Sequence, residues 1–302
     1  MGAAGAVATA GSNNSVGGSA AAGGGGGGSM NGGAPATGGS AGSSSAGNSG
    51  GGGLSGGGGA SGGGPNGGGS NGGGASSSCS GKTYKLCEDF ENGSVGSLPT
   101  GWTSFKGYGD ASPQDQTLSS DEFHSGGKAL MSNSAQFGVS RIQKDISALG
   151  ATASKHWGRI FYKVKSPAAK DPANYLHVTF VSLFGASENR VVDTVSMTNS
   201  NTHQWLFNNP NDQGGTASKY DWTFDAAWHC AEWFVDVGTK SYRFFSDAQE
   251  VKELAFVGQD NQMSNYKTLI VGATHYQKDT LSGPFIVWFD DLAIDDAQIG
   301  CQ

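Results

Sequence analysis

The chain has 302 residues, a formal net charge of −7 and a mean hydropathy of −0.35. All 18 Lys and Arg, all 25 Asp and Glu and every Phe, Trp and Tyr lie beyond residue 80, while residues 1–80 hold 34 of the 53 Gly. A second globular domain is thereby excluded, because such a segment gains almost nothing by leaving water and Gly loses the most chain entropy on ordering. The acidic balance, with no Lys/Arg-rich run, argues against nucleic acid or an anionic membrane as partner.

Residues 1–78 read as a disordered Gly/Ser-rich tether, with a root-mean-square reach of roughly 45–50 Å. The opening MGAAGAVATAGS lacks the basic region and apolar stretch of a signal peptide. It also misses the myristoylation pattern, since Ala6 stands where Ser or Thr is required. No stretch holds the ~20 apolar residues of a transmembrane helix. Residues 79–302 are expected to form one domain, about a fifth charged and about an eighth aromatic, which is a globular composition.

Strand signals run through that domain in chain order. Strands are expected at Tyr84–Glu91, Lys128–Ser132 and Phe137–Lys144, with a short helical turn at Ile146–Thr152. In the next strand Ile160, Tyr162 and Val164 face the core, opposite Arg159, Phe161 and Lys163. In Tyr175–Phe184 the residues Leu176, Val178, Phe180 and Phe184 fall on one face, and Tyr175, His177 and Thr179 on the other. A strand at Val191–Met197 and a helical turn at Asp225–Trp228 come next. Cys230–Val237 alternates again, with Ala231, Trp233, Val235 and Val237 inward, and Gly238-Thr239-Lys240 turns it into Ser241–Ser246. Leu269–Tyr276 and Pro284–Ile294 complete the set. Period-2 alternation without crossover helices predicts an antiparallel β-sandwich or jelly roll. Outward aromatic and His positions (Phe161, Tyr175, His177, Phe234, Tyr276) suit sugar rings.

The cysteines are Cys79, Cys87, Cys230 and Cys301, with no CxxC pair, and the six His show no zinc spacing. An even count with two at the domain's ends points to two disulfides and an oxidising compartment. Cys79–Cys301 with Cys87–Cys230 is the favoured pairing, and Cys87–Cys301 its rival if the terminal strands pair.

Three stretches carry a resemblance: LCEDFE at 86–91 with Trp102, SGGKAL at 125–130, and VWFDDLAIDDAQIGC at 287–301. Together they resemble the concanavalin-like jelly-roll exported proteins, nearest in character to the cellulose-induced secreted fungal protein family, whose fold is that of a polysaccharide lyase. The resemblance implies a structural Ca2+ held by Glu91, Ser125 and Asp290, with Asp291 the alternative to Asp290. Such a set has the oxygen ligands that calcium requires. It also implies lyase positions: Arg141 in VSRIQ, His177 in YLHV, and Tyr276 in GATHYQ. Tyr175 stands where that pattern has Gln, and one extra residue separates Gly272 from Tyr276. In a β-elimination Arg141 would hold the uronate carboxylate, His177 act as base and Tyr276 as acid or base. Tyr175, Glu232 and Gln277 are the expected sugar contacts. A hydrolase is disfavoured: the paired-carboxylate spacing and the GxSxG elbow are both missing. The expectation is therefore an extracellular or surface-tethered monomer that engages polysaccharide, as a lyase. The alternatives are a non-catalytic carbohydrate-binding module and a surface structural protein without ligand.

Overall fold

The computed structural model describes residues 78–105, 116–134, 138–165, 170–209, 212–216, 219, 221–259, 261–276 and 281–302. The expected tether lies outside them, apart from Ser78. The described strands form two antiparallel sheets that pack as a jelly-roll sandwich. The first sheet runs β13 (Gln249–Glu250), β12 (Ser241–Ser246), β11 (Trp228–Asp236), β6 (Lys155–Val164), β15 (Phe285–Asp295), β4 (Ala129–Ser134) and β3 (Gln116–Ser119), with β1 (Leu86–Glu88) also on β15. The second runs β10 (Asp212–Thr216), β9 (Gln204–Asn209), β8 (Glu188–Ser196), β7 (Leu176–Phe184), β14 (Thr268–His275), β5 (Gly138–Asp145) and β2 (Thr103–Phe105).

Alternation builds the core as expected on β6 and β11, where Ile160, Tyr162, Val164, Ala231, Trp233 and Val235 are buried against Val178, Phe180 and Val271 of the other sheet. Trp233 lies opposite Gly158, where a Cβ would stand 2.2 Å from the indole, so only glycine admits the ring. The indole Nε1 donates to His156 Nε2 at 3.2 Å, and burial pushes His156 down to about 4, which keeps the acceptor neutral.

Four expectations need correction. Phe184 does not share the core face of β7: the pairing of β7 with β8 is irregular between Thr179 and Ser182, which turns Leu183 inward and leaves Phe184 exposed. Phe161 and Phe234 belong to the first sheet, not to one surface with His177, and Phe161 lies under His124, ring centroids 3.7 Å apart. Asp225–Trp228 is a bend rather than a helical turn, whereas Ser147–Ser154 forms a 3-10 helix. The disulfides are Cys79–Cys87 and Cys230–Cys301. The reason is register. β1 pairs antiparallel with β15, placing Cys87 opposite Ala293, so the chain beyond β15 runs past Cys87. That tail is drawn to β11, where the Glu232 carboxylate accepts the amides of Ile299 and Gly300 at 3.0 and 2.6 Å, and Cys301 meets Cys230.

β15 changes neighbour part-way along its length. It pairs with β4 through residues 285–289 and with β1 through residues 292–294. Between the two, Asp291 adopts φ of 51° and the ladder to β6 breaks between Asp290 and Ala293. Residues 121–128 enter beside that break.

Candidate functional site

The second sheet carries a polar cluster on its outer face. On β5, Ile142 points into the core, so Arg141 points out. The irregular stretch of β7 keeps His177, Thr179 and Ser182 outward although their spacing is not strictly alternate. β8 is irregular in its pairing with β9 between Arg190 and Asp193, so Val191 and Val192 both join the core while Glu188, Arg190 and Asp193 remain on the polar side. Tyr276 follows β14 directly. Within β14, Gly272 has φ of 132° and lies opposite Arg141, where a Cβ would come 2.3 Å from Ser140 O, so the backbones touch only because this residue is glycine.

These side chains bond to one another. His177 Nε2 lies 2.7 Å from Asp193 Oδ2, and Asn208 Nδ2 stands 3.4 Å from the same nitrogen. Thr179 Oγ1 donates to Asp193 Oδ1 at 2.5 Å and lies 3.0 Å from the Tyr276 hydroxyl. The His177 and Tyr276 rings are 4.7 Å apart between centroids, with the Arg190 guanidinium 4.3 Å over Tyr276. Behind them Glu188 Oε1 accepts Arg141 Nη1 and Ser182 Oγ, each at 2.7 Å, and Arg190 Nε stands 3.6 Å from Glu188 Oε2. Burial raises the Tyr276 phenol well above its usual range even against the pull of Arg141 and Arg190, so the phenol is neutral. Burial also pushes Glu188 up, but Arg141 and Arg190 more than offset it and hold the carboxyl below the ordinary range.

Of the expected calcium residues, Ser125, Asp290 and Asp291 meet at the break in β15, while Glu91 stands apart from them. Asp290 Oδ2 accepts the amides of His124 and Ser125 at 2.8 and 3.1 Å, and Asp291 accepts Ser125 Oγ and His124 Nδ1, each at 2.6 Å. Glu91 Oε1 accepts the amides of Gly127 and Lys128 at 2.7 and 2.8 Å. The loop 125–128 thus lies between Asp290 at one end and Glu91 at the other. Asp290 is fully buried, and burial together with Asp291 raises its acid to about 8. The groups present are the hard oxygens calcium prefers, and both Asp290 oxygens already accept main-chain amides. Among the described residues no three His, Cys, Asp or Glu side chains form a metal-ligand group, so backbone oxygens would have to complete the shell.

No family model and no curated protein matches the chain. Solved structures do. The chain is similar to the cellulose-induced protein Cip1, at 16% identity and a TM-score of 0.47, over 72% of this chain and 100% of that one. It is similar to a family 7 alginate lyase in complex with substrate, at 13% identity and a TM-score of 0.41, over 65% and 86%. It is also similar to the binding domain of botulinum neurotoxin DC in complex with rat synaptotagmin II, at 8% identity and a TM-score of 0.41, over 61% and 43%. These likenesses carry nothing about ligand or chemistry.

Arg141, His177 and Tyr276, expected together, do meet on one sheet. Arg141 differs from expectation in being fully buried, with Nη1 engaged by Glu188 and its guanidinium 4.7 Å over Phe105. Tyr175 is 48% exposed just before β7. Gln277 lies outside the described residues. Glu232 is placed elsewhere: it is buried on the first sheet, and its carboxylate is taken up by Gln298, Ile299 and Gly300, so it offers nothing to a sugar at His177. The alternation analysis missed Thr179, Glu188, Arg190 and Asp193 as site residues. The available signal was ENRVVD at 188–193, three charges set in a valine-rich strand.

Proposed function

We propose that the outer face of the second sheet binds a uronate-containing polysaccharide outside the cell and cleaves it by β-elimination. The observation that carries the proposal is the meeting of His177 and Tyr276, 4.7 Å between ring centroids, with the Arg190 guanidinium beside them. A base, a neutral acid and a cation thus lie within the span of one sugar ring. His177 takes the proton from C5 of the uronate, the C–H electron pair becomes the C4=C5 double bond, and the C4–O bond breaks. The Tyr276 phenol gives its proton to the departing oxygen. Glu188 engages Arg141 closely and Arg190 only at 3.6 Å, so the Arg190 guanidinium is the cation offered to the uronate carboxylate and its developing enediolate. Arg190 is the cation nearer the phenol, and Arg141 supports it from behind through Glu188. Tyr175, exposed just before β7 and two residues from His177, offers a ring for stacking on an adjoining sugar. The two disulfides support an oxidising, extracellular setting. No described helix is long and apolar enough to cross a membrane.

A structural Ca2+ belongs to the same proposal, held by Glu91, Ser125 and Asp290 with Asp291 alongside. Chelator should then lower the melting temperature, and Asp290→Ala should abolish that sensitivity. An unchanged melt with and without chelator removes the metal. For the reaction itself, the full chain is incubated with glucuronan, alginate and pectate and followed by the ultraviolet absorbance of a 4,5-unsaturated uronate. Growth of that absorbance on one of them is expected. Binding without any absorbance change would leave a non-catalytic carbohydrate-binding module instead.

A further inference from the structure

We infer that Asp193 is the positioning residue for both proton-transfer groups, fixing His177 with its proton on Nε2 and its lone pair on Nδ1 and aligning the Tyr276 hydroxyl through Thr179. The inference rests on the elimination proposed above and adds to it which imidazole nitrogen acts and what holds it.

The argument starts from what each atom can do. An ionised carboxylate only accepts hydrogen bonds. Asp193 Oδ2 stands 2.7 Å from His177 Nε2, so a proton lies between them, and the carboxylate is the side that accepts it. That places N–H at Nε2, and in a neutral ring the remaining lone pair is at Nδ1. The Asn208 amide at 3.4 Å competes for Nε2 only weakly against a short bond to a charged acceptor. Oδ1 of the same carboxylate takes the Thr179 hydroxyl proton, so Thr179 Oγ1 faces Tyr276 as an acceptor at 3.0 Å. Threonine hydroxyl and imidazole therefore both point their protons at one buried carboxylate, and the phenol oxygen is held against that threonine. Among the described residues, the groups around His177 include Thr179 on its own strand, Asp193 and Arg190 on β8, Asn208 on β9 and Tyr276 after β14.

Asp193 also stabilises the imidazolium that forms when Nδ1 accepts the C5 proton, without itself taking a proton. Its effect should thus fall on turnover rather than on substrate affinity.

The test is the nitrogen-15 spectrum of the His177 imidazole in the full chain, which reports which nitrogen bears the proton. The parent protein should show Nε2–H. Asp193→Asn, whose amide can donate to Nε2, should move the proton to Nδ1, lower kcat on the cleaved polyuronide by about 10²–10⁴-fold with KM nearly unchanged, and shift the acidic limb of the pH–rate profile. Thr179→Val cuts only the arm to Tyr276 and should leave the His177 tautomer as in the parent. Proton on Nδ1 in the parent, or an unchanged tautomer in Asp193→Asn, overturns the inference. If Asp193→Asn fails to fold, the parent spectrum decides alone. Absence of cleavage on every polyuronide overturns the elimination and not the placement of the proton, so the two failures are distinct.

Discussion

The outer faces of the two sheets both hold buried carboxylates and use them differently. On the first sheet, Glu232 accepts the amides of Ile299 and Gly300, and Asp290 accepts those of His124, Ser125 and Asp291. Glu91, three residues beyond β1, accepts those of Gly127 and Lys128. On the second sheet, Asp193 meets His177 and Thr179, and Glu188 meets Arg141 and Ser182. A carboxylate met by main-chain amides holds a segment in place, although beside Asp290 the first sheet's Asp291 also takes the His124 imidazole and the Ser125 hydroxyl. One met by imidazole, hydroxyl and guanidinium groups aligns side chains that can move protons and charge. The comparison separates stability from activity, and substitutions on the two faces should separate them too.

The largest effect is expected on the second sheet. His177→Ala should reduce unsaturated product by about 10²–10⁴-fold while the thermal melt and the affinity for substrate stay nearly unchanged. A matching loss of affinity would mean that His177 binds rather than reacts.

On the first sheet the cost should appear in stability. The Cys230–Cys301 bridge closes a sequence separation of 71 residues and Cys79–Cys87 one of 8. By the chain-entropy argument, replacing both cysteines with Ser should cost about 4 kcal/mol for the first and about 2.5 kcal/mol for the second. Urea unfolding of the two double variants checks the order, and equal losses would show that the tail is not what the longer bridge secures. Glu232→Ala should cost about 1–3 kcal/mol, from the amides it leaves without an acceptor. The cleavage rate of the folded variant should not change.

Much of the sandwich could be read from alternation, because β6 and β11 are regular and each has one buried face. Their core residues and the Gly238-Thr239-Lys240 turn appear where expected. The rest was hidden for physical reasons. The irregularities in β7 and β8 reset the side-chain parity, so a period of two assigns Phe184 to the wrong face and gives no cause to group Glu188 and Arg190 with Asp193. Short strands such as β2 and β3 carry too few residues to show a period. The disulfides depended on where the chain goes after β15, which Glu232 decides through tertiary contacts. Of the site, His177, Tyr276 and Arg141 were legible through a family resemblance, whereas the carboxylates that organise them were not.

The smallest effect is a pH dependence that also divides by location. Hydrogen bonding to Asp247 and Asp225, against the pull of burial, raises His229 from 6.5 to about 9. That stabilisation is full below the unfolded value and is lost as pH rises through about 9. Burial lowers His156 to about 4 and His203 to about 3, so their share is full above 6.5 and is lost as pH falls toward those values. Stability measured by urea unfolding across this range should fall on both sides of about 6.5, and Asp247→Asn should flatten the alkaline side alone. A variant that flattens neither side would detach His229 from the stability of the fold.

The most direct test of the central claim asks which face the polysaccharide touches. Backbone and imidazole NMR signals of the full chain are followed during titration with an oligoglucuronate. Perturbations should centre on His177, Thr179, Asp193 and Tyr276 and spare the first sheet's Trp157, Glu232 and Phe234. Perturbations centred on the first sheet, with His177 and Tyr276 unmoved, would contradict the assignment of function to the second.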